Sequence, residues 1–506
     1  MTSAPAHTTA QLRWHAAHRF AFALTPAVIL CIPFLDFPGV GGGAYVKPLA
    51  LPAVLMAFVL LFARTGWAPP PLQRFDKMWL AVLAWAIAGD CILPWMISMP
   101  HEMKGQTLSG RVLRDMGALV AGMMVWTWFR IALRQGVEVV AALRWVLLSF
   151  FVVMPFVAVQ SLVVVTDSSI AHAADAALAL LRSATQSDHY RKIFGTAPEA
   201  SMLADQVLSL WMPFALASVL LGTTLFRIRP LGLRVEIWVV VLGLATLLFS
   251  QSRIGLVALV FLAVVGWLMA MRANRRRRRR GTALAMPLFA LVVVAGVVSA
   301  GGNKLQSFVG SFGLVDSSID NGVWSNVTRL ATMSAGLDMA WHHPLGVGTG
   351  AYPFLFEQSV PDWALIDPEI QGLLGGSSEY VELLTGFEGD DLDTRLPDAK
   401  ALPVRAIAEL GIPGFAALLA IWLGMLRGCW RTFAQTEPGA PVRTAAFGVM
   451  LSLIVMLPLS FSINSYVWVH WILVAAMAAA LWKPGPRHVR RKRPRAQALS
   501  HSSQPT

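Results

Sequence analysis

The sequence predicts an all-α, polytopic integral membrane protein, a helical bundle of about twelve transmembrane helices with a large helical extracytoplasmic loop between spans nine and ten. The chain of 506 residues is 56% hydrophobic and only 14% charged, and its mean hydropathy is +0.60. These values lie far from soluble usage. Apolar runs of membrane-spanning length recur along the chain, separated by segments that carry Pro, Gly and charge.

The apolar runs divide the chain into four predicted regions. Residues 1–301 hold spans one to nine, 302–402 form the large loop, 403–482 hold spans ten to twelve, and 483–506 form a basic tail. The predicted spans lie near 20–37, 48–63, 78–99, 117–133, 145–166, 203–223, 235–250, 254–271, 283–300, 404–426, 445–461 and 463–482.

A polar tetrapeptide, Ser250-Gln251-Ser252-Arg253, separates the seventh and eighth spans. Without it, the flanking runs would form one block far longer than a single crossing needs. Two interpretations of Arg253 are open. An Arg at a span end commonly extends to lipid headgroups. Alternatively, the tight hairpin holds Arg253 as a fixed cation for an anionic substrate group, since a guanidinium must face a surface or a polar cavity.

The charge distribution predicts the orientation. With both termini in the cytoplasm, the segments on that side hold 28 of the 41 Lys and Arg residues, including the run Arg275–Arg280. Cytoplasmic loops of membrane proteins carry such an excess. The net charge of +13 therefore indicates anchoring at an anionic leaflet and not a nucleic-acid partner. Arg253 and the segment 302–402 are then predicted to lie on the outer face.

The segment 302–402 contains a predicted helix followed by a glycine-rich loop. Asn326-Val327-Thr328-Arg329 is predicted to start the helix and His342-His343-Pro344 to end it. Apolar residues recur at helical spacing between them, at Leu330, Met333, Leu337 and Trp341. The glycines of Leu345–Gly350 allow a close backbone approach. This loop follows no strand, which argues against a nucleotide-binding loop.

Downstream, Arg405 and Glu409 are spaced i, i+4 at the outer end of the tenth predicted span. One interpretation is an ion pair within the helix. In the alternative, Arg405 faces the same cavity as Arg253.

These patterns together resemble the O-antigen ligase and O-antigen polymerase family of bacterial envelope membrane proteins. The matching features are Ser250–Arg253 heading a span, Arg329 ahead of Trp341–Gly350, and Ala408–Gly414 opening the span after the large loop. Phe194–Ser201 is a weaker match, and the resemblance covers roughly residues 190–482.

One departure from the family pattern concerns a histidine. Many ligases carry a functional His shortly before the Glu of the Glu-Leu-Gly motif, and here that position falls near Lys400. This puts a ligase-type catalytic His in doubt. Leu402-Pro403-Val404-Arg405 resembles polymerase-like members instead.

The resemblance implies a glycosyltransferase, a multi-pass protein of the bacterial inner membrane that acts in lipopolysaccharide or exopolysaccharide biosynthesis. Its donor would be a glycan on undecaprenyl diphosphate, and its acceptor a hydroxyl of another glycan or of lipid A core. Membrane lipids would surround it, and no cofactor is expected. No Asp-rich metal signature stands out, so a metal-independent mechanism is predicted.

The chemistry requires cations for the leaving diphosphate and a base for the acceptor hydroxyl. Arg binds phosphate oxygens well, because its planar guanidinium can donate two parallel hydrogen bonds. Arg253, Arg329, Arg405 and Lys400 are the predicted substrate-binding residues. His343 and Glu409 are the candidate bases. An alternative interpretation of His343, which precedes a proline, is a cap of the helix C-terminus.

The main alternative function is a twelve-span exporter or flippase of lipid-linked glycans. Such transporters often contain two similar halves. The present sequence shows no internal repeat, and its large loop lies after the ninth predicted span and not midway. The pattern therefore favours the transferase.

The predicted orientation can be tested with a reporter that is active only outside the cytoplasm. We expect activity when the reporter is fused near Asp367 and none when it is fused near Arg275 or after Lys483, because the basic segments remain inside. An active fusion at Arg275 would overturn the orientation.

Overall fold

The structure, a computed structural model, describes residues 9–35, 37, 48–66, 71–166, 168–178, 193–250, 252–273, 321–366, 370, 396–463, 465–466 and 468–482. Within these ranges the side chains of residues 9, 10, 95, 253, 273, 321–326 and 366 are not described. The predicted ninth span at 283–300, the run Arg275–Arg280 and the tail from 483 lie outside the described residues.

The described part of the chain is almost wholly helical. The α-helices are α1 Thr9–Cys31, α2 Ala50–Thr65, α3 Arg74–Met96, α4 Leu108–Ala132, α5 Gly136–Thr166, α6 Ser169–Leu178, α7 Ala200–Gln206, α8 Met212–Leu221, α9 Val235–Ser250, α10 Arg253–Ala273, α11 Asn321–His342, α12 Tyr352–Ser359, α13 Leu402–Gln435, α14 Pro441–Leu459 and α15 Val469–Leu481. A π-helical turn, Val207–Trp211, joins α7 to α8. Two short antiparallel strands, β1 Glu102–Met103 and β2 Gln106–Thr107, precede α4.

Six helices within the described ranges are long and apolar enough to cross a membrane: Arg74–Pro94, Gly136–Thr166, Ala200–Leu221, Ile254–Arg272, Leu402–Gln435 and Pro441–Ser462. This confirms a multi-pass helical membrane protein. Each predicted span other than 283–300 overlaps a helix, but the number of crossings, twelve, stays a prediction.

The predicted boundary between the seventh and eighth spans is confirmed, because α9 ends at Ser250 and α10 begins at Arg253. The predicted start of the loop helix is wrong by about one turn. α11 begins at Asn321, five positions before Asn326, and it ends at His342 as expected. Its first turns contain Val323 and Trp324, which extend the helix ahead of the polar residues taken as its start.

The helix formed by α7, the π-helical turn and α8 lies at the centre of the main core. Pro213 lies just after its π turn. Pro213 has no N–H to donate to the Ser209 carbonyl, which would leave a buried acceptor unpaired. The Ser452 hydroxyl on α14 donates to that carbonyl, and the Trp211 indole donates to Ser149 Oγ on α5 at 3.0 Å. These polar contacts join α14 and α5 to the π-helical turn.

A second, smaller core lies beside the main one. It consists of α11, α12 and the first turns of α13, together with Met99, which follows α3, and Leu108, which begins α4. Gly336 on α11 packs so closely against Val404 on α13 that an added Cβ would overlap its side chain. Glycine at this position therefore allows α11 to lie directly on the beginning of α13.

α13 is interrupted at Gly411, where φ is 68° and ψ is −178°. Pro413 follows, so the Glu409 carbonyl cannot receive its usual helical donor. The loop after α11 supplies replacements: Val347 N donates to Ala408 O and Gly348 N donates to Glu409 O, each at 3.0 Å. In return, Ile412 N donates to Pro344 O at 2.9 Å. The glycine-rich loop is thereby bonded to the interrupted helix like a short strand pair.

The close approach at Gly411 predicts that substitutions of Gly411 and of Gly222 differ greatly in their effect on the stability of the protein. Gly411 and Gly222 have φ of 68° and 67°, but a Cβ at Gly411 would lie 2.5 Å from Gly346 N, whereas nothing lies within 4 Å of one at Gly222. Gly222→Ala should cost about 1–2 kcal/mol for its backbone conformation alone. Gly411→Ala should cost more than roughly 4 kcal/mol.

Thermal unfolding of both variants in detergent, compared with the wild type, measures this difference. Equal melting temperatures for the two variants would contradict the proposed close packing.

Candidate functional site

The sequence-predicted pair Arg405 and Glu409 forms the centre of a buried polar cluster. The Arg405 Nε donates to Glu409 Oε2 at 3.0 Å within the first turns of α13, which confirms the ion pair. The Tyr466 hydroxyl donates to the same Oε2, also at 3.0 Å, and the Arg405 guanidinium lies 4.8 Å from the Tyr466 ring centroid. Tyr466 thus joins the α14–α15 connection to α13.

Asp115 on α4 completes this cluster. Arg405 Nη2 donates to Asp115 Oδ2, so the guanidinium lies between two carboxylates on different helices. Arg111, one turn earlier on α4, has its Nε 3.7 Å from the same Asp115 oxygen. Arg114 contacts the other oxygen at 3.8 Å, but its side chain is 58% exposed.

The charges in this cluster are nearly balanced. Two largely buried guanidiniums, Arg405 and Arg111, face two buried carboxylates, Asp115 and Glu409. Isolated charges inside a protein are costly, and such groups are stable only when they are paired. The carboxylates therefore hold Arg405 in a fixed orientation. Sequence spacing alone indicates its contact with Glu409 but not its contact with Asp115.

The glycine-rich loop packs against this cluster from the side of α3 and α4. A Cβ on Gly350 would lie 3.0 Å from the Arg111 carbonyl and 3.1 Å from Asp115 Oδ2. Thr349 donates to Asp90 of α3 through both its backbone N–H and its hydroxyl, each at 2.5 Å. The loop is thus fixed to α3, α4 and α13 at once, directly beside the Arg405 and Asp115 pair.

His343 lies where α11 enters this loop, and its side chain is partly buried. Burial lowers the pKa of its imidazole below the ordinary value of 6.5, and the neighbouring His342 lowers it further. His343 is therefore neutral at neutral pH. The side chain that bonds the end of α11 belongs to His342, whose Nδ1 lies 3.1 Å from the Asp338 carbonyl.

The other predicted substrate-binding residues lie on three different elements. Lys400 occupies the turn before α13 with φ of 51°, and its N–H donates to Asp398 at 2.9 Å. Arg329 is partly buried on α11, whose small-residue face packs on α13. Arg253 begins α10, but its side chain is outside the described residues. A common cavity for Arg253 and Arg405 stays a prediction.

An apolar cavity of about 250 Å³ opens beside Tyr466. Its wall is built from α3, α4, α13, α14, α15 and the α14–α15 connection. Four of the lining residues belong to the polar cluster or are close to it in sequence, and these are Leu402, Leu410, Ser465 and Tyr466. The cavity is also lined by five tryptophans, which are Trp79, Trp126, Trp422, Trp468 and Trp471. Tyr466 therefore belongs to both features, with its hydroxyl on Glu409.

A second buried polar group supports one wall of this cavity. His470 Nε2 lies 2.7 Å from Asp205 Oδ2, and both side chains are essentially inaccessible to solvent. The Trp471 indole donates to the other Asp205 oxygen at 3.3 Å, and the Trp468 ring contacts the His470 ring edge-on. This pair ties the segment that carries Tyr466 to α7.

Sequence reasoning missed Asp115, Arg111, Tyr466 and the pair Asp205 and His470. Two signals were present. Asp90 and Asp205 are carboxylates inside predicted apolar spans, where ionisable residues are rare and usually functional. Arg111 and Asp115 are spaced i, i+4 just before the fourth predicted span. Their meeting with Arg405 depends on tertiary packing that no local pattern encodes.

Within the part of the chain that the structure describes, no group of three or more His, Cys, Asp or Glu side chains is placed to hold a metal ion.

The cluster predicts that the loss of Asp115 and the loss of Arg114 destabilise the protein to different degrees. Asp115→Ala should destabilise the protein by about 3–5 kcal/mol, because it leaves the buried Arg405 and Arg111 without their shared carboxylate. Arg114→Ala removes an exposed partner of the same Asp115 and should cost less than about 1 kcal/mol. Thermal unfolding in detergent distinguishes them, and a harmless Asp115→Ala would show that the cluster contributes little.

Comparison with protein-family models gives a match in the middle of the chain. Residues 238–374 match the family described as O-antigen ligase. The matched segment is about a quarter of the chain and includes Arg253, Arg329, His343 and the glycine-rich loop, while Arg405 and Glu409 lie beyond it. No curated protein matches the sequence.

The match confirms the prediction made from the motifs, because it covers the polar turn before α10, the helix α11 and the loop that follows it. Together with the membrane-spanning helices, this match over about a quarter of the chain supports the resemblance to the O-antigen ligase and O-antigen polymerase family of membrane proteins.

Proposed function

We propose that this protein is a glycosyltransferase that moves a glycan from undecaprenyl diphosphate to an acceptor hydroxyl at the periplasmic face of the inner membrane. The observation that carries the proposal is the shared position of Tyr466, which lies on the apolar cavity and bonds the buried ion-pair cluster. A lipid-linked diphosphate needs both an apolar surface for its chain and cations for its phosphates. The acceptor is a glycan or lipid A core.

Arg405 is the best-positioned cation of the predicted set. Its guanidinium is held by Glu409 and Asp115, so its orientation is fixed before any substrate binds. Preorganised donors stabilise developing charge without reorganisation during the reaction. Arg111 and Arg114 bring two further guanidiniums to the same carboxylate. Together with Arg253, Arg329 and Lys400, they are the proposed residues for the diphosphate.

We assign His343 as the base and Glu409 as a positioning residue. Glu409 is buried, and its Oε2 already accepts from Arg405 and Tyr466, so this oxygen faces protein donors. His343 is only partly buried and is neutral at neutral pH because its pKa is lowered. A neutral imidazole can accept the proton of a hydroxyl.

In the proposed reaction the acceptor oxygen attacks the anomeric carbon of the donor sugar. The bond from that carbon to the diphosphate oxygen breaks, and the electron pair leaves with the undecaprenyl diphosphate. The hydroxyl proton passes to the His343 imidazole, and the arginines stabilise the charge on the leaving group. The proposed step needs no metal and no other cofactor.

Analysis of lipid-linked and surface glycans in a deletion strain tests this function. Loss of a polymerase leaves single repeat units on the surface, and loss of a ligase leaves long chains on the lipid. Either result, reversed by the wild-type gene, supports the proposal. Accumulation of single lipid-linked units inside the cell would instead identify a flippase and contradict it.

The proposed diphosphate contact of Arg253 predicts that Lys cannot replace it. Arg253→Lys keeps the charge but loses the planar pair of donors, so transfer should fall by roughly ten- to a hundredfold, almost as far as in Arg253→Ala. Arg272→Lys, at the opposite end of α10, is the matched control and should retain full transfer.

Complementation with expression controls measures this effect. Normal surface glycan from the Arg253→Lys variant would remove Arg253 from the proposed site and favour its role as a headgroup anchor.

A further inference from the structure

The helix α11 packs on the protein with its small side chains and exposes its large apolar ones, which is the reverse of the usual amphipathic arrangement. Its inward face is built mainly from small side chains, and its large apolar side chains point outward. The inward residues are Thr328, Ala331, Thr332, Ala335, Gly336 and Met339. The outward residues include Leu330, Leu337 and Trp341, which are 56%, 54% and 83% exposed.

Close packing fixes this rotation. A Cβ on Gly336 would overlap Val404 of α13, so no larger side chain fits between the two helices at this point. The Tyr352 hydroxyl of α12 donates to the Thr332 carbonyl at 2.5 Å, which fastens the same face from the other side. The outward stripe is therefore a fixed surface of the folded protein.

This stripe continues onto an exposed apolar row of a helix that is long and apolar enough to span a membrane. Leu345, just after α11, is exposed, and the neighbouring Pro344 carbonyl accepts from Ile412 N of α13. Ile412 is itself exposed, and the exposed row continues along α13 through Leu419 and Leu423. α13 is one of the helices apolar enough to cross the membrane. The two exposed apolar surfaces thus meet at the end of the span.

α11 differs from a spanning helix in composition. Although it has 22 residues, it is not among the helices of the described ranges that are apolar enough to span. Asp338 and His342 are polar neighbours of Leu337 and Trp341, and they bond each other at 3.3 Å. A helix with one large apolar face and a tryptophan beside polar groups is typical of the membrane–water interface.

We propose that α11 is an interfacial helix whose Leu330, Leu337 and Trp341 side chains insert into the phospholipid leaflet at this end of the bundle. The helix then holds His343 and the glycine-rich loop at the depth of the lipid headgroups. A lipid-linked diphosphate and a lipid-anchored acceptor would present their reactive groups at the same depth. The insertion itself does not depend on the proposed reaction.

A photo-crosslinking experiment tests the insertion directly. The benzophenone amino acid p-benzoylphenylalanine replaces Leu337 or Trp341, one at a time, in the full-length protein. Each variant is reconstituted into vesicles of phosphatidylethanolamine and phosphatidylglycerol, illuminated, and analysed by intact-protein mass spectrometry. The matched control carries the same amino acid at Glu357, an exposed charged position on α12. All three positions are exposed, and gel filtration in detergent verifies folding.

We expect phospholipid adducts at positions 337 and 341 in roughly tenfold higher yield than at 357, because only the inserted face contacts acyl chains. Equal, low adduct yields at all three positions would show that the stripe faces water and would overturn the proposal. A crosslinked dimer in place of lipid adducts would overturn it as well, since it would identify a second copy as the occupant.

Discussion

The interruption of α13 at Gly411 is the feature on which the arrangement of the site depends. A straight helix would satisfy its own backbone and leave no acceptors for another segment. The break and Pro413 free the carbonyls of Ala408 and Glu409, which then accept from Val347 and Gly348. The Trp85 indole of α3 donates to the Leu410 carbonyl at 2.8 Å. The loop after α11, the start of α13 and the span α3 are thereby fixed to each other.

The ion pairs depend on this backbone arrangement. Because the loop places Gly350 against Arg111 and Asp115, α4 approaches α13 closely enough for Asp115 to reach Arg405. Buried charges of this kind add little net stability compared with apolar packing, but the loss of one partner is costly. We propose a functional reason to retain such a cluster, which is that it keeps a guanidinium oriented next to an apolar cavity.

The cavity and the cluster are joined through one short segment. Residues 465–471 contribute Tyr466 to Glu409, Trp471 to Asp205 and His470 to the same carboxylate. The cavity wall formed by this segment is therefore bonded at one end to the Arg405 and Glu409 cluster and at the other to Asp205. A lipid-linked substrate that occupies the cavity would contact a wall whose position is set by α7 on one side and α13 on the other.

The sequence predicted those parts of the molecule that follow from local pattern. Apolar length predicted the helices, and the polar tetrapeptide predicted the boundary at Ser250 and Arg253. The i, i+4 spacing gave the Arg405 and Glu409 ion pair as one of two interpretations. The contacts of Asp115 with Arg405 and of Tyr466 with Glu409 join residues hundreds or tens of positions apart in the chain. They depend on helix packing, which hydropathy does not encode. The exposure of the large apolar side chains of α11 could not be predicted either, because helical spacing identifies an apolar stripe but not what the stripe contacts.

A reconstituted transfer reaction tests the central claim, that the Arg405 and Glu409 cluster serves glycosyl transfer from a lipid diphosphate. The wild type and Glu409→Gln, which keeps the shape but removes the charge, are placed in vesicles with a lipid-linked glycan and an acceptor. Released undecaprenyl diphosphate is counted against new glycosidic bonds. One release per bond is predicted for the wild type, with a rate roughly ten- to a hundredfold lower for Glu409→Gln. Movement of intact donor without release, or an equal rate in the variant, would contradict it.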